Sequence, residues 1–383
     1  LRCYAYENLM IFERLRLVNF RNYRDVVISF SPRVNVFLGE NGQGKTNLLE
    51  AMYMISQGDS FRYSDNSTLI NSNNQEALIQ ALISQNDLHY KLKMGLSKSR
   101  KVLTLNEKRV NSADIRKIFA SVVFSPESLA SIKEGADHRR ELVDELLVTF
   151  DRKNVNLLSD YRKALKTRNK ILKNFLEGLQ DKTVTENLLE SLEPQFVRLA
   201  TDLSYARIEA LAGLSKEFNN AMQYISGNSA VDISVEYVIS DQNAVKFSRE
   251  EVQSALEKRI KELHDAELSS GTSLVGPHKH DIVFLYGGKD SRFFCSQGQQ
   301  RAIILSFKMA QIVYHRKAHG TYPVLMLDDV LSELDKAKRE ALITFLHEIN
   351  TQIFVTTTDF TLPESFSLDQ LSVVRIKDGH ILE

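Results

Sequence analysis

The sequence predicts an α/β fold whose sheet-forming ends enclose a long helical stretch. Three observations carry that expectation. Residues 34–38 form a short apolar strand that runs through glycines into a helix at 46–56, the order strand, loop, helix. Residues 299–355 alternate helix, strand, helix, strand, as a parallel sheet with covering helices does. From about 137 to 224 the apolar spacing is helical, with Leu142, Leu146 and Phe150 on one face and Leu158, Tyr161, Leu165 and Leu172 on another.

Taken in order, residues 11–20 and 25–30 alternate apolar and polar side chains like paired strands. Residues 77–84, 88–96 and 101–105 read as an antiparallel meander, and 122–124 as a strand halted by Ser125-Pro126. After the helical stretch a strand at 231–238 precedes a helix at 248–268. Strand character returns at 281–286, turns at Gly287-Gly288 and resumes at 291–294. The ending reads as helix 299–314, strand 324–327, helix 336–349 and strand 352–355.

With 383 residues, 43% of them hydrophobic, the chain can bury a large core in one domain or two lobes. That content excludes a disordered class. Cys3 and Cys295, two thiols far apart, argue for a reducing compartment and against a disulfide scaffold. No apolar run approaches the roughly 20 residues that span a bilayer. The 49 basic and 49 acidic residues cancel, which excludes a nucleic-acid binder of uniformly basic composition. The cancellation is regional, however. Residues 88–110 carry seven Lys/Arg against one acid, 151–173 eight against two, and 321–383 five against eleven.

Glycine is scarce, at 16, and half of it lies in two stretches, 39–44 and 271–298. In the first, Gly39-Glu40-Asn41-Gly42-Gln43-Gly44-Lys45-Thr46 fits G-x-x-x-x-G-K-[ST]. This is either a glycine-rich turn or a phosphate loop, and its place between strand and helix selects the second. Backbone N–H groups and the helix dipole would face the β-phosphate, Lys45 would reach the β- and γ-phosphates, and Thr46 would ligate Mg²⁺. Val324 to Leu327 then leads into Asp328 and Asp329. A strand end in an α/β sheet is where ligands bind, so Asp328 would join Thr46 at the metal and Asp329 would polarise the attacking water. The competing reading makes both acids caps of the next helix, a task for which Ser332-Glu333-Leu334-Asp335 is already suited. Ser296-Gln297-Gly298-Gln299-Gln300-Arg301, taken alone, is a good helix N-cap.

Together these motifs resemble the SMC-like branch of the ATP-binding-cassette ATPases. The phosphate loop falls at 39–46, a signature loop at 296–300, the aspartate strand at 325–328 and the loop that follows it at 332–335. More narrowly, the chain is similar to the RecF family of recombination mediators. The supporting strings are Asn19-Phe20-Arg21-Asn22-Tyr23, GENGQGKTNLLEA (39–51), Ser60-Phe61-Arg62, FSPESL (124–129), His138-Arg139-Arg140, Tyr161 with Arg168-Asn169, GPHKHD (276–281), SQGQQR (296–301) and LDDVLSELD (327–335). The resemblance implies an ATPase head split in sequence over 10–130 and 265–383, with a mixed sheet plus β meander. A mainly helical arm lobe, 131–264, is inserted between the halves. Separately, Met10 immediately precedes the first strand, so 1–9 reads as a non-native or disordered extension. The resemblance also implies ATP with Mg²⁺, Arg21 and Asn22 near the nucleotide, and an ATP-dependent homodimer in which Ser296 and Gly298 face the other subunit's phosphates. It further implies a cytoplasmic ATPase, weak and DNA-stimulated. Its partners would be DNA (single-stranded, duplex or junctions), RecR and RecO, with no membrane, in helping to load RecA at gaps and supporting replication and SOS induction.

The chain departs from the wider pattern at three places. Asp329 is one methylene shorter than the glutamate of transport cassettes, which predicts slow hydrolysis. Thr356-Thr357-Thr358-Asp359 replaces the switch histidine, so Thr358 or Asp359 would sense the γ-phosphate. Lys279-His280 intervene before Asp281, which puts a specific role for His280 in doubt. His278 and His280 lack a third ligand, so they read as structural rather than as a metal pair.

The candidate DNA surface is Lys91, Lys93, Lys98, Arg100, Lys101, Lys108 and Arg109 on the meander with Arg162, Lys163, Lys166, Arg168, Lys170 and Lys173 on the arm. The residues alone leave this even with a solvated charged face; the resemblance favours DNA. The alternatives are a transporter-type ATPase subunit and a non-repair SMC-like structural clamp. About 250 residues separate phosphate loop and signature, against the first. A helical insert of about 90 residues, at most ~130 Å as one helix, is short for the second.

Overall fold

The computed structural model describes residues 9–62, 64–86, 88–227, 231–358 and 371–382. The described residues of Leu1–Leu129, Ala221–Ser229 and Arg301–Glu383 form one compact unit, and those of Ala130–Asn220 and Ala230–Gln300 form another.

The first unit holds two six-stranded sheets. The meander runs Tyr23–Ser29, Ile11–Phe20, Glu76–Gln85, Leu88–Ser97, Lys101–Leu105 and Lys108–Val110, all antiparallel. The second sheet runs His380–Leu382, Leu371–Lys377, Val34–Leu38, Ile353–Thr357, Val324–Asp328 and Ser121–Phe124. All its neighbours are parallel except the first pair. Parallel strands need both faces covered, and Val34–Leu38, Val324–Asp328 and Ile353–Thr357 are accordingly buried nearly throughout. The helix Lys45–Gln57 packs on strands of both sheets. Leu48, Leu49, Ala51, Met52, Met54 and Ile55 are all buried, so the apolar surface runs round the helix rather than along one stripe. Phe12, Leu15, Leu17, Phe37, Ile79, Met94, Met326 and Phe354 join it in one continuous core.

The second unit contains the helices Ala136–Phe150, Asn154–Leu176 and Arg249–Ser270 and most of Lys182–Ile225, with a small antiparallel sheet. That sheet runs Gln242–Asn243, Ile233–Ile239, Asp281–Tyr286 and Lys289–Asp290. The division differs from the expected one, in which 265–300 returned to the head. Asp281–Tyr286 pairs with Ile233–Ile239, and Arg249–Ser270 packs on Asn154–Leu176, which holds 265–300 to the second unit. The strand expected at 291–294 is a helical turn, Ser291–Phe294. Gly287 and Gly288, both at positive φ, make a tight hairpin that ends at Asp290, whose carboxylate then accepts the Arg292 N–H. Of the extension expected over 1–9, only Leu9 is among the described residues, and it is buried.

Candidate functional site

The phosphate loop leaves Val34–Leu38 and enters Lys45–Gln57 at Gly44, whose φ of 115° suits glycine. A Cβ there would lie 2.6 Å from the Asn22 amide. The helix start has no side-chain cap and no acid in its first turn, so its positive dipole end faces the loop unneutralised. Asn22 donates through Nδ2 to the Gln43 carbonyl at 2.9 Å and accepts from Asn47 Nδ2 at 2.9 Å through Oδ1, while the Tyr23 hydroxyl donates to the Gly44 carbonyl at 3.0 Å. From the last hairpin, the Gly379 N–H donates to the Gln43 carbonyl at 3.0 Å and the Asp378 N–H to Gln43 Oε1 at 2.6 Å. These bonds shape the loop from outside. Lys45 Nζ donates to the carbonyls of Gly39 and Glu40 at 2.7 and 2.8 Å. Burial lowers its pKa, opposed by Asp329 and Asp328.

The aspartate strand meets this loop directly. Thr46 Oγ1 and Thr356 Oγ1 each donate to Asp328 Oδ1 at 2.8 Å, and the Asp329 N–H donates to Thr356 Oγ1 at 2.8 Å. Asp328 is 4% exposed, and burial pushes its pKa up while the two hydroxyls pull it down. The next helix, Lys336–Glu348, is capped by Asp335, which accepts the Lys338 N–H. Asp328 and Asp329 are therefore not its caps. Asp329 stands at φ 50°, a left-handed conformation aspartate tolerates, and turns the chain out of the sheet. A hydroxyl and a carboxylate oxygen side by side are the hard donors that Mg²⁺ takes alongside substrate phosphates. The residues present fit that ion. Thr356, which sequence reasoning named in the switch stretch without giving it a role, meets Asp328 because the two are register partners on adjacent parallel strands. Asp359 lies outside the described residues.

Arg21 is engaged by a buried acid. Its Nε and Nη2 meet the two oxygens of Glu50 at 2.9 Å each, and it also donates to Ser64 Oγ and the Thr68 carbonyl. Glu50 also accepts from Ser60 and lies 3.8 Å from Arg62, whose Nη1 donates to Asn47 at 3.3 Å. Glu50, the one acid in the phosphate-loop helix and set among its apolar residues, was the available signal for this network.

Ser296 and Gly298 belong to the second unit. The Ser296 N–H donates to Gln299 Oε1 at 2.8 Å and the Gln299 N–H to Ser296 Oγ at 3.3 Å, a reciprocal cap at the start of the helix Gln297–His319. Beyond the boundary, Arg301 bonds the Glu333 carbonyl at 2.9 Å and pairs with its carboxylate. His278 Nδ1 lies 2.6 Å from the Tyr161 hydroxyl and His280 Nδ1 2.9 Å from that of Tyr237. Both rings are engaged with tyrosines. Among the described residues no group of three or more His, Cys, Asp or Glu side chains could hold a metal ion.

On the meander, Leu92, Met94 and Leu96 point to the core while Lys91 and Lys93 point away. Cross-strand register then lines up Arg16, Gln80, Lys93, Thr104 and Arg109. Five strands at about 4.8 Å make this row about 19 Å long. Arg14 sits beside it, exposed, opposite Leu82, which faces Lys91. Arg14 and Arg16 lie 75 or more positions from Lys91, so linear charge counting missed them. Lys98, Arg100 and Lys108 are exposed. Lys101 donates to the Gly58 carbonyl at 2.5 Å and pairs with Asp59. In the second unit Arg162, Lys163, Lys166, Lys170 and Lys173 are exposed, but Arg168 is not. At 1% exposure it is paired with buried Glu267 and stacked over Phe196, which removes it from the candidate surface. Its inward position follows the helix period, because Tyr161, Ala164, Arg168 and Leu172 share the buried face.

A strand–loop–helix phosphate cradle whose threonine meets the carboxylate of a second parallel strand, beside a β meander, defines a P-loop ATPase head of the SMC-like class. The family described as RecF/RecN/SMC N terminal domain matches residues 11–381. The chain is 33% identical to the DNA replication and repair protein RecF of Lactobacillus acidophilus over 96% of each chain. It is 34% identical to that of Ligilactobacillus salivarius over 98% of each. A structure of the recombination mediator protein RecF with ATP in the RecFOR pathway superposes with a TM-score of 0.84 at 29% identity, over 98% of this chain and 99% of that one. The Smc head domain of Pyrococcus furiosus shares the fold, with a TM-score of 0.53 at 17% identity over 97% and 95%. The chain belongs to the RecF family of SMC-like ATPases.

Proposed function

We propose that the chain is an ATP-dependent DNA-binding protein of recombinational repair. In this reading Mg-ATP joins two copies on DNA and slow hydrolysis releases them. The observation that carries it is the meeting of Thr46 and Asp328 beside Lys45 and the helix N-terminus. Gly39, Glu40, Asn41, Gly42, Gln43 and Gly44 would wrap the phosphates, and Lys45 would turn from the loop carbonyls to them. Thr46 and Asp328 would hold Mg²⁺, which supplies charge neutralisation at the transferring phosphoryl group. Asp329 would orient the water. Ser296 and Gly298 would close on the phosphates of the second copy. Family membership and the likeness to an ATP-bound RecF structure support this reading.

The row from Arg16 to Arg109 favours a duplex or single-strand backbone as the DNA contact, bound through phosphates and hence sensitive to salt. Lys98 and Arg100 at the hairpin tip would extend it, and Arg162, Lys166 and Lys170, exposed on the arm, would make a separate phosphate contact. RecR and RecO would act as partners, toward loading RecA at single-strand gaps and supporting replication and SOS induction. No described helix is long and apolar enough to cross a membrane.

Sedimentation velocity with and without Mg-ATP tests the switch, and turnover on gapped, single-stranded and duplex DNA tests its coupling. The expected result is a dimer only with Mg-ATP, with turnover raised by DNA. No dimer with Mg-ATP, or an unaltered one in Ser296→Arg, would overturn the clamp. Turnover indifferent to every DNA would overturn the repair role.

A further inference from the structure

We propose that Asp281 and Arg292 are positioning residues for the signature loop Ser296–Gln300, which is the cap and first turn of the helix Gln297–His319, setting how it meets the second copy's nucleotide. The inference rests on the reading above that the loop closes on a partner's phosphates. All its contacts lie within the second unit.

Arg139, buried on the helix Ala136–Phe150, grips Asp281 with a fork. Its Nε reaches Oδ1 at 3.0 Å, and Nη2 reaches Oδ1 at 2.8 Å and Oδ2 at 3.1 Å. Asp281 Oδ2 takes a second guanidinium, Arg292 Nη1, at 2.9 Å. Arg292 in turn holds Asp290, with Nε at 3.1 and 3.0 Å from the two oxygens and Nη2 at 2.7 Å from Oδ2. Asp290 also accepts the Arg292 N–H at 2.9 Å, which starts the turn Ser291–Phe294. From the other side, buried Gln300 donates through Nε2 to the Ser291 carbonyl at 2.7 Å. The segment from Ser291 to Gln300 is thus closed on itself and anchored through one carboxylate to the helix bearing Arg139.

Forked, charge-assisted bonds fix direction as well as distance. A loop that must offer a hydroxyl and N–H groups to a phosphate binds more tightly when its shape is set beforehand. Asp281 carries two cations, so its loss leaves Arg139 buried without its fork and also releases Arg292. Loss of Arg292 alone leaves the Arg139–Asp281 pair in place. That asymmetry separates positioning from fold.

The test compares full-length wild type, Arg292→Gln, Arg292→Lys, Asp290→Asn and Asp281→Asn. Thermal unfolding, KM and kcat for Mg-ATP, and Mg-ATP-dependent dimerisation are measured for each. Arg292→Gln is expected to keep the unfolding temperature and KM while kcat and dimer affinity fall by roughly tenfold. Arg292→Lys should recover part of the loss, since it keeps the charge without the fork. Asp290→Asn should repeat the kcat loss even where Arg292→Gln does not fold, and Asp281→Asn should lose most. Wild-type kcat and dimerisation in both Arg292→Gln and Asp290→Asn would overturn the positioning role alone, as would a rise in KM that follows loss of fold. A wild-type protein that does not dimerise with Mg-ATP would overturn the reading of the loop itself, and this inference with it.

Discussion

The Thr46 hydroxyl donates to Asp328 Oδ1 over 2.8 Å, joining residues 282 positions apart. Thr356 donates to the same oxygen, so one carboxylate oxygen ties the phosphate-loop helix to two strands of the parallel sheet. An asparagine at 328 would keep that acceptor and remove the charge that burial disfavours. Because the folded pKa is raised, this carboxyl favours folding below its ordinary value of 3.8, and that contribution is lost as pH rises through the raised pKa. At neutral pH Asp328→Asn is therefore expected to unfold at or above the wild-type temperature while Mg-dependent turnover drops roughly a hundredfold or more. Calorimetry with a turnover assay checks both halves, and a lowered unfolding temperature would contradict the first.

The cross-strand row gives a salt experiment. If Lys93 and Arg109 each meet one phosphate, Lys93→Gln and Arg109→Gln should each reduce the slope of log affinity against log salt by about 1. Turnover without DNA should stay unchanged, since neither residue contacts the phosphate loop. Unaltered slopes in the double variant would move the DNA contact off this face.

Arg168 tests the opposite case. Its guanidinium pairs with Glu267 and both side chains are buried, so Arg168→Met leaves a carboxylate in the interior that still bonds Ser273 and the Leu274 N–H. A loss of about 3–5 kcal/mol in denaturant unfolding is expected, with DNA affinity of the folded fraction unchanged. Loss of DNA affinity without loss of stability would restore Arg168 to the binding surface.

Two histidines set an acid limit on the second unit. Burial lowers the His278 pKa to about 4 and holds that of His280 well below its ordinary 6.5. Both are neutral when folded, so the unfolded chain takes up more protons below pH 6.5. Their contribution is complete above that pH and declines as pH falls toward about 4, by ~1.4 kcal/mol per pH unit for each ring. His278→Gln should flatten the decline by one such increment when stability is measured across this range, and an unchanged slope would show that the ring is already protonated in the fold.

Local pattern was enough for much of this. The glycine loop, the helix at Thr46 and the apolar strand ending in Asp328 were all legible, because each rests on neighbours within a few positions. The same holds for the meander, whose alternation is a property of single strands. The signals failed where a partner came from far away. Nothing near Arg168 distinguishes it from Lys166 or Lys170 except helix phase and the acid at 267. The strand expected at 291–294 failed for a local reason instead, since Asp290 captures Arg292 two positions on and starts a turn.

The sequence by itself determined the chemistry of the nucleotide loop and the order of its elements, since backbone freedom, periodicity and charge are written residue by residue. Only the tertiary structure decided which side chains meet. It placed Thr356 on Asp328, Glu50 on Arg21, Arg16 in line with Lys93, and Asp281 between two arginines. Those pairings depend on strand register and helix packing across gaps of tens to hundreds of residues, where the burial of the core, and no local preference, selects the partner.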